Sequence, residues 1–136
     1  EQMNTANIQF TLQDIYELHA QLENAFVLLP GVRDENLLAS AVYTPFQTFM
    51  KNDLYPSIYD KAAQLCYGLA NNHPFTDGNK RTALHSMYVY LIINGFDIIS
   101  TQQNVENLII DVAAGNMTNV ELAQWLKENT VEIDVN

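Results

Sequence analysis

The fold is decided by one segment, a turn that leads into a long helix, with the sequence His73-Pro74-Phe75-Thr76-Asp77-Gly78-Asn79-Lys80-Arg81. Pro74 and Gly78 interrupt regular structure, so residues 73–78 are predicted to form a turn. A helix is predicted to follow from about residue 79 to 94, where Gly95 ends it. Apolar residues wrap most of the circumference of this helix, which predicts a central helix that packs on several sides.

Further helices are predicted on both sides of this segment. Capping residues and apolar spacing place their starts after Thr11, Asp34, Ser57 and Thr118, and place one more around Val105, Leu108, Ile109 and Val112. Residues 44–56 mix aromatic and polar side chains and are predicted to form a loop or short hairpin, and residues 131–135 alternate as a short strand would. The predicted fold is therefore all-α, a helical bundle around the central helix with at most a small β-hairpin.

Length and charge narrow the classes of function. The chain has 136 residues, 48% of them hydrophobic, and a formal net charge of −10. We expect one domain over residues 1–136, with residues 1–7 and 130–136 as peripheral tails. An acidic surface repels phosphate backbones, so nucleic acid is not expected as a partner. A single cysteine and the lack of a signal-like or membrane-spanning stretch lead us to expect a cytoplasmic protein without membrane contact.

Lys80 and Arg81 stand out in this acidic chain. They are the only Lys or Arg residues between Ala62 and Leu126, and they are adjacent. They open the predicted central helix, whose first amide hydrogens lack partners within the helix and whose positive dipole end favours anions. An arginine can also grip a phosphate with two parallel hydrogen bonds. We interpret this helix start, from Asn79 to Arg81, as a phosphate-binding site.

The turn supplies the other groups that phosphate chemistry needs. His73 can take a proton from a hydroxyl near neutral pH. Asp77 is a hard oxygen ligand of the kind that holds Mg²⁺ together with nucleotide phosphates, and Gly78 lets the backbone approach a ligand. This combination indicates transfer of part of a nucleotide to a hydroxyl, where positioning and charge neutralisation supply most of the catalysis. The alternative is an ordinary helix start capped by Asp77, with His73 satisfied within the turn.

The nine residues quoted above resemble the signature of Fic domains, His-Pro-Phe-x-(Asp/Glu)-Gly-Asn-(Gly/Lys)-Arg. Other segments resemble the "death on curing" (Doc) branch of that family, namely Gly31-Val32-Arg33-Asp34-Glu35-Asn36-Leu37-Leu38, Tyr55-Pro56, Lys61-Ala62-Ala63, Arg81-Thr82-Ala83-Leu84 and Asn94-Gly95-Phe96. The resemblance covers roughly residues 8–128. It implies a single Fic/Doc-like helical domain.

The resemblance also implies roles for the residues of the turn. His73 would be the general base acting on a hydroxyl of a target protein, and Asp77 would hold Mg²⁺ bridging the phosphates of ATP. Lys80 and Arg81 would share in catalysis, and residues 44–56 would form a flap that docks the target. The nucleotide-binding residues would be Thr76, Gly78, Asn79, Lys80, Arg81 and His85.

The two other histidines are less specific signals. His85 lies one helical turn beyond Arg81, so it could face the nucleotide, but a histidine of the core or of the helix surface is the alternative. His19, in the first helix, is interpreted as structural.

Two positions favour the Doc branch. Lys80 stands where most Fic enzymes have glycine, and Leu84 stands where they have a second arginine; in Doc-like members the terminal phosphate of ATP is transferred. Gly78, by contrast, is typical of members that transfer AMP. The predicted function is therefore a Doc-like toxin that phosphorylates a protein hydroxyl, with a translation factor as one candidate target. A Fic-type adenylyltransferase and an inactive binding module with the same fold are the alternatives.

A partner protein is expected as well. Single-chain Fic proteins carry an inhibitory motif, Ser/Thr-x-x-x-Glu-(Gly/Asn), which this sequence lacks. Doc-type toxins are instead held by a separate antitoxin, so the resemblance implies an antitoxin for this chain.

Overall fold

A computed structural model describes residues 8–134. Within that range the chain forms six helices: α1 (Leu12–Phe26), α2 (Glu35–Tyr43), α3 (Ile58–Asn72), α4 (Asn79–Ile93), α5 (Gln102–Ala113) and α6 (Asn119–Glu128). Two antiparallel pairs of short strands complete the fold: β1 (Thr48–Phe49) with β2 (Asn52–Asp53), and β3 (Phe96–Ile98) with β4 (Thr130–Glu132). The all-α prediction is confirmed. None of the helices described is both long and apolar enough to cross a membrane.

Side-chain caps start five of these six helices. In each case a side-chain oxygen accepts a hydrogen bond from the backbone N–H three residues on, and the capping residues are Thr11, Asp34, Ser57, Thr101 and Thr118. Such a cap stabilises a helix by about 1 kcal/mol. The exception is α4, which follows Gly78 in a left-handed conformation (φ 77°) and has no side-chain cap.

The core is built around α3 and α4. Leu65 and Leu69 of α3 and Met87 and Leu91 of α4 are fully buried. A glycine lets α3 approach α2 closely, because a Cβ atom at Gly68 would lie only 3.2 Å from the neighbouring helix backbone. The central helix also contacts α1, α5 and β3, as its apolar circumference predicts.

A buried lysine anchors the β1–β2 hairpin, which occupies the region predicted to be a loop or hairpin. The tip of the hairpin is exposed, whereas Lys61 of α3 is only 2% exposed. Its Nζ donates hydrogen bonds to Asp53 Oδ2 (2.9 Å) and to the carbonyl oxygens of Tyr55 and Pro56. A buried ammonium needs such partners, so these contacts hold the base of the hairpin against α3.

The strand predicted at residues 131–135 is observed in part, as β4: Ile133 and Asp134 lie beyond its end, and Val135 lies outside the described residues. Its partner β3 was not predicted. Asp97 pairs with Val131 at the centre of the ladder. Ile133 N–H donates to Gly95 O (2.8 Å), which brings this part of the chain onto the end of α4. Residues 1–7 and 136 also lie outside the described range, so the expectation of peripheral tails there stays a prediction.

We predict that Lys61→Met loosens the hairpin. The substitution removes the partly buried hydrogen bonds from the Lys61 ammonium to Asp53, Tyr55 and Pro56, and a hydrogen bond to a charged group contributes about 1.5–3 kcal/mol. Urea unfolding should show a loss of stability in that range, and limited proteolysis should cut the hairpin faster. Lys51→Met replaces an exposed lysine at the tip of the same hairpin and should change neither measurement. Equal stability of Lys61→Met and the parent chain would contradict the anchoring role.

Candidate active site

The turn of residues 73–78 connects α3 to α4 and is paired with the segment that precedes α2. Three backbone hydrogen bonds join them: Arg33 N–H and Asp34 N–H donate to Pro74 O (2.7 and 3.1 Å), and Thr76 N–H donates to Gly31 O (3.1 Å). Val32 and Phe75 form an isolated β-bridge between the same segments. These bonds hold the turn in an extended pairing with the segment that precedes α2. The C-terminal end of the turn leads directly into α4.

His73 ends α3 in a left-handed conformation (φ 50°). The guanidinium of Arg33 donates from Nε to His73 O (2.7 Å) and from Nη2 to Asn72 O (3.0 Å). These bonds satisfy carbonyl groups that a helix end leaves without partners. The backbone of His73 is therefore fixed, while the residue as a whole is exposed.

Phe75 and Asn79 lock the turn internally. Phe75 is 1% exposed and is the anchor of the loop. Asn79 Nδ2 donates to Phe75 O (3.0 Å), and Asn79 Oδ1 accepts from Phe75 N–H (2.9 Å). The side chain of Asn79 is therefore used within the turn. What it offers a ligand is its backbone N–H, one of the first amides of the uncapped helix α4.

The Asp77 carboxylate is held by two backbone amides. Oδ1 accepts from Gly78 N–H (2.8 Å) and Oδ2 accepts from Leu29 N–H (3.0 Å). Asp77 makes no capping bond to α4, so the structure contradicts the alternative in which it serves as the cap. A carboxylate has about four lone-pair sites, so two amide bonds leave capacity for a cation.

The segment that follows α1 lies against the same turn. A Cβ atom at Gly78 would lie 2.3 Å from Leu28 Cδ1, so the side chain of Leu28 fills the space beside this glycine. The Arg81 guanidinium lies 4.0 Å from the ring centroid of Phe26, a cation–π contact. Phe26, Leu28 and Leu29 thus each contact a predicted site residue, and the sequence pattern predicts no such role for any of them.

One open cavity of about 270 Å³ collects most of the predicted residues. Its lining consists of Leu28, His73, Thr76, Asp77, Gly78, Asn79, Lys80 and Arg81. His85 lies instead on a second cavity of about 430 Å³, which shares Arg81 and is otherwise mainly apolar. Burial lowers the pKa of His85. The predicted set therefore comes together apart from His85, which faces the neighbouring cavity.

The oxygen ligands at this turn suit a metal cation that is also coordinated by phosphate oxygens. No group of three or more His, Cys, Asp or Glu residues in the described part of the chain could hold a metal ion on its own. Asp77 offers one carboxylate at the edge of a cavity that also contains Lys80, Arg81 and the start of a helix. Mg²⁺ is commonly bound in this way, through one or two carboxylates and substrate phosphates.

The fold and the site together define the class of protein. The fold is a helical bundle, and its central helix follows this turn without a side-chain cap. The chain belongs to the Fic/Doc family, whose sequence model matches residues 9–91. The resemblance stated from the motif is thereby confirmed.

Two curated relatives show similarity beyond the motif. The chain is 43% identical over 84 residues to "Toxin Doc" of Mycolicibacterium smegmatis, a match that covers 60% of this chain and 65% of that protein. It is 25% identical over 115 residues to "Protein kinase doc" of Escherichia phage P1, covering 85% of this chain and 90% of that protein. The match with the mycobacterial toxin thus spans slightly less than two thirds of its length.

We predict that Gly78→Ala destabilises the chain more than Gly115→Ala does. Both glycines have positive φ angles, 77° and 81°, and a left-handed conformation costs a non-glycine residue about 1–2 kcal/mol. An added Cβ meets nothing within 4 Å at Gly115 but meets Leu28 at Gly78. Urea unfolding should give the larger loss for Gly78→Ala.

The variant Leu28→Ala completes this test as a double-mutant cycle. In the Gly78→Ala background it should restore the part of the stability that is lost through the side-chain contact, and the backbone part should remain. Additive effects of the two substitutions would contradict the contact between residues 28 and 78.

Proposed function

We propose that this chain is a Doc-like toxin that acts in the cytoplasm and transfers the terminal phosphate of ATP to a hydroxyl of a target protein. The observation that carries the proposal is the convergence of His73, Asp77, Lys80 and Arg81 on one cavity at the uncapped start of the central helix. This arrangement combines a proton acceptor, a metal ligand and two cations in a single site. The names of the two relatives, a toxin and a protein kinase, support the same reading.

Each residue has a defined task in this proposal. Lys80, Arg81 and the first amides of α4 bind the phosphate oxygens. Asp77 would hold Mg²⁺, and the ion would neutralise charge on the nucleotide phosphates. His73 takes the proton of the target hydroxyl, whose oxygen forms a bond to the γ-phosphorus while the bond to the β–γ bridging oxygen breaks. The products are a phosphoprotein and ADP, and the proton remains on His73.

Lys80 favours phosphate transfer over AMP transfer. Its side chain adds a point charge and fills space that a glycine would leave open beside the phosphates. ATP would then bind with its γ-phosphate nearest to His73 and the incoming hydroxyl. Gly78 favours the adenylyltransferase alternative, since it is typical of AMP-transferring members. An inactive binding module is less well supported, because protein binding alone would not require His73 and Asp77 to converge on one cavity with Lys80 and Arg81.

Regulation by a separate antitoxin is part of the proposal. It is supported by the missing internal inhibitory motif and by the toxin named among the relatives. The mainly apolar cavity of about 430 Å³ beside Arg81 has the character needed to accept an amphipathic segment of such a partner. A translation factor is the first target class to test.

The reaction is decided by ATP labelled separately on the α and γ phosphates, incubated with the chain, Mg²⁺ and candidate translation factors. We expect only the γ label to reach the target, with a mass increment of one phosphate. His73→Ala should abolish transfer and leave the fold intact, because it removes the proton acceptor and little packing. Incorporation of the α label, with an increment of one AMP, would establish the adenylyltransferase alternative. Transfer by His73→Ala at the parent rate would refute the assignment of the base.

The metal ligand is tested with Asp77→Asn. We expect the affinity for Mg-ATP to fall by about tenfold or more, or at least ~1.4 kcal/mol, because a neutral amide is a poorer ligand for Mg²⁺ than a carboxylate. Isothermal titration with and without Mg²⁺ measures this difference. Asp111→Asn, an exposed carboxylate on α5, is the control that should leave binding unchanged. The same Mg²⁺ dependence in Asp77→Asn and the parent chain would rule out Asp77 as the ligand.

A further inference from the structure

A buried histidine of α1 lies directly beneath the turn. His19 is 3% exposed, and its ring stacks on Phe75 with centroids 3.8 Å apart and planes at 5°. Its Nε2 lies 2.9 Å from Asp77 O, and its Nδ1 lies 3.0 Å from Glu23 Oε2. The polar contacts of His19 are therefore directed at the turn and at its own helix, and not at the cavity.

The contact with Asp77 controls the orientation of one peptide group. A carbonyl oxygen only accepts hydrogen bonds, so Nε2 of His19 is the donor. The same peptide unit contains Asp77 C=O and Gly78 N–H, and it is planar. Gly78 N–H is also the group that donates to Asp77 Oδ1 at 2.8 Å. A hydrogen bond from His19 to one end of this plane thereby sets the direction of the amide that holds the Asp77 carboxylate at the other end.

Glu23 extends the same support to the opposite side of the turn. Its Oε2 accepts a hydrogen bond from Gly31 N–H (3.2 Å) as well as facing His19. The carbonyl of Gly31 in turn accepts from Thr76 N–H. His19 and Glu23, one turn apart on α1, therefore contact two parts of the site. His19 contacts the peptide group that follows Asp77, and Glu23 contacts the segment that pairs with Thr76.

We infer that His19 and Glu23 form a positioning pair for the Asp77 carboxylate. Neither is a catalytic residue, because neither lines the cavity and His19 has both ring nitrogens engaged within the protein. They act through the peptide group between Asp77 and Gly78. The expected effect on Mg-ATP binding rests on the proposed function, whereas the expected effect on the backbone geometry at Asp77 does not.

Three variants separate positioning from simple packing. His19→Phe keeps an aromatic ring against Phe75 and removes both polar contacts. His19→Gln places an amide N–H within reach of the Asp77 carbonyl and serves as the rescue. Ile15→Ala lies one turn earlier on the same helix, where Ile15 is also fully buried, and it controls for lost stability.

The first readout is the backbone amide spectrum of ¹⁵N-labelled protein. The amides of Gly78 and Leu29 donate to the Asp77 carboxylate, so their resonances should move in His19→Phe and stay near the parent positions in His19→Gln and Ile15→Ala. The second readout is the affinity for Mg-ATP. It should fall about 10- to 100-fold in His19→Phe, the range seen for residues that orient metal ligands, with recovery in His19→Gln. Ile15→Ala, at a comparable loss of Tm, should leave the affinity unchanged.

Two results would overturn the positioning role. One is a parent-like Gly78 resonance in His19→Phe, and the other is an equal loss of affinity in Ile15→Ala. Should His19→Phe fail to fold, Glu23→Leu tests the pair from its other member, and parent-like resonances of Thr76 and Gly78 there would equally refute it. If the parent chain binds no Mg-ATP, the proposed function fails instead, and the Gly78 resonance alone decides the role of His19.

Discussion

The carbonyl oxygen of Pro74 accepts two backbone hydrogen bonds, from Arg33 (2.7 Å) and Asp34 (3.1 Å), and three helix ends meet there. Asp34 caps the start of α2, the Arg33 side chain closes the end of α3, and the turn after Pro74 starts α4. Pro74 has no backbone N–H to donate. Its carbonyl oxygen nevertheless links the segment that starts α2 to the turn between α3 and α4. The placement of the turn that carries the candidate site therefore depends on contacts made by a segment some 40 residues earlier in the chain.

The uncapped start of α4 leaves backbone amides free to bind an anion at this site. Five of the helices in residues 8–134 have side-chain caps, and the helix at the site has none. A cap would stabilise α4 by about 1 kcal/mol but would occupy amides that an anion could otherwise bind. Lys80 and Arg81 lie at the same helix end in a chain of net charge −10. Stability is thus given up at a helix end that carries two adjacent cations.

The parts that were predictable from sequence are those fixed by nearby residues. The helix starts at Thr11, Ser57 and Thr118 follow from capping boxes that span four residues, and the turn follows from one contiguous motif. The supporting contacts were not predictable, because they join residues far apart through backbone atoms. His19 reaches Asp77 across 58 residues and Leu29 reaches it across 48. Strand β3 was missed for the same reason, since three residues carry no pattern until a distant strand pairs with them.

The pairing of β3 with β4 has a consequence for synthesis on the ribosome. Chains emerge from the N-terminal end, so the helix that carries the site is made long before residues 130–133 reach the end of that helix. Until then the C-terminal end of α4 lacks the bond from Ile133 to Gly95, and α3 lacks its packing against α6. The nascent polypeptide therefore cannot complete the packing of its core before α6 and β4 have been made, whereas the contacts described around the turn join only residues 19–81.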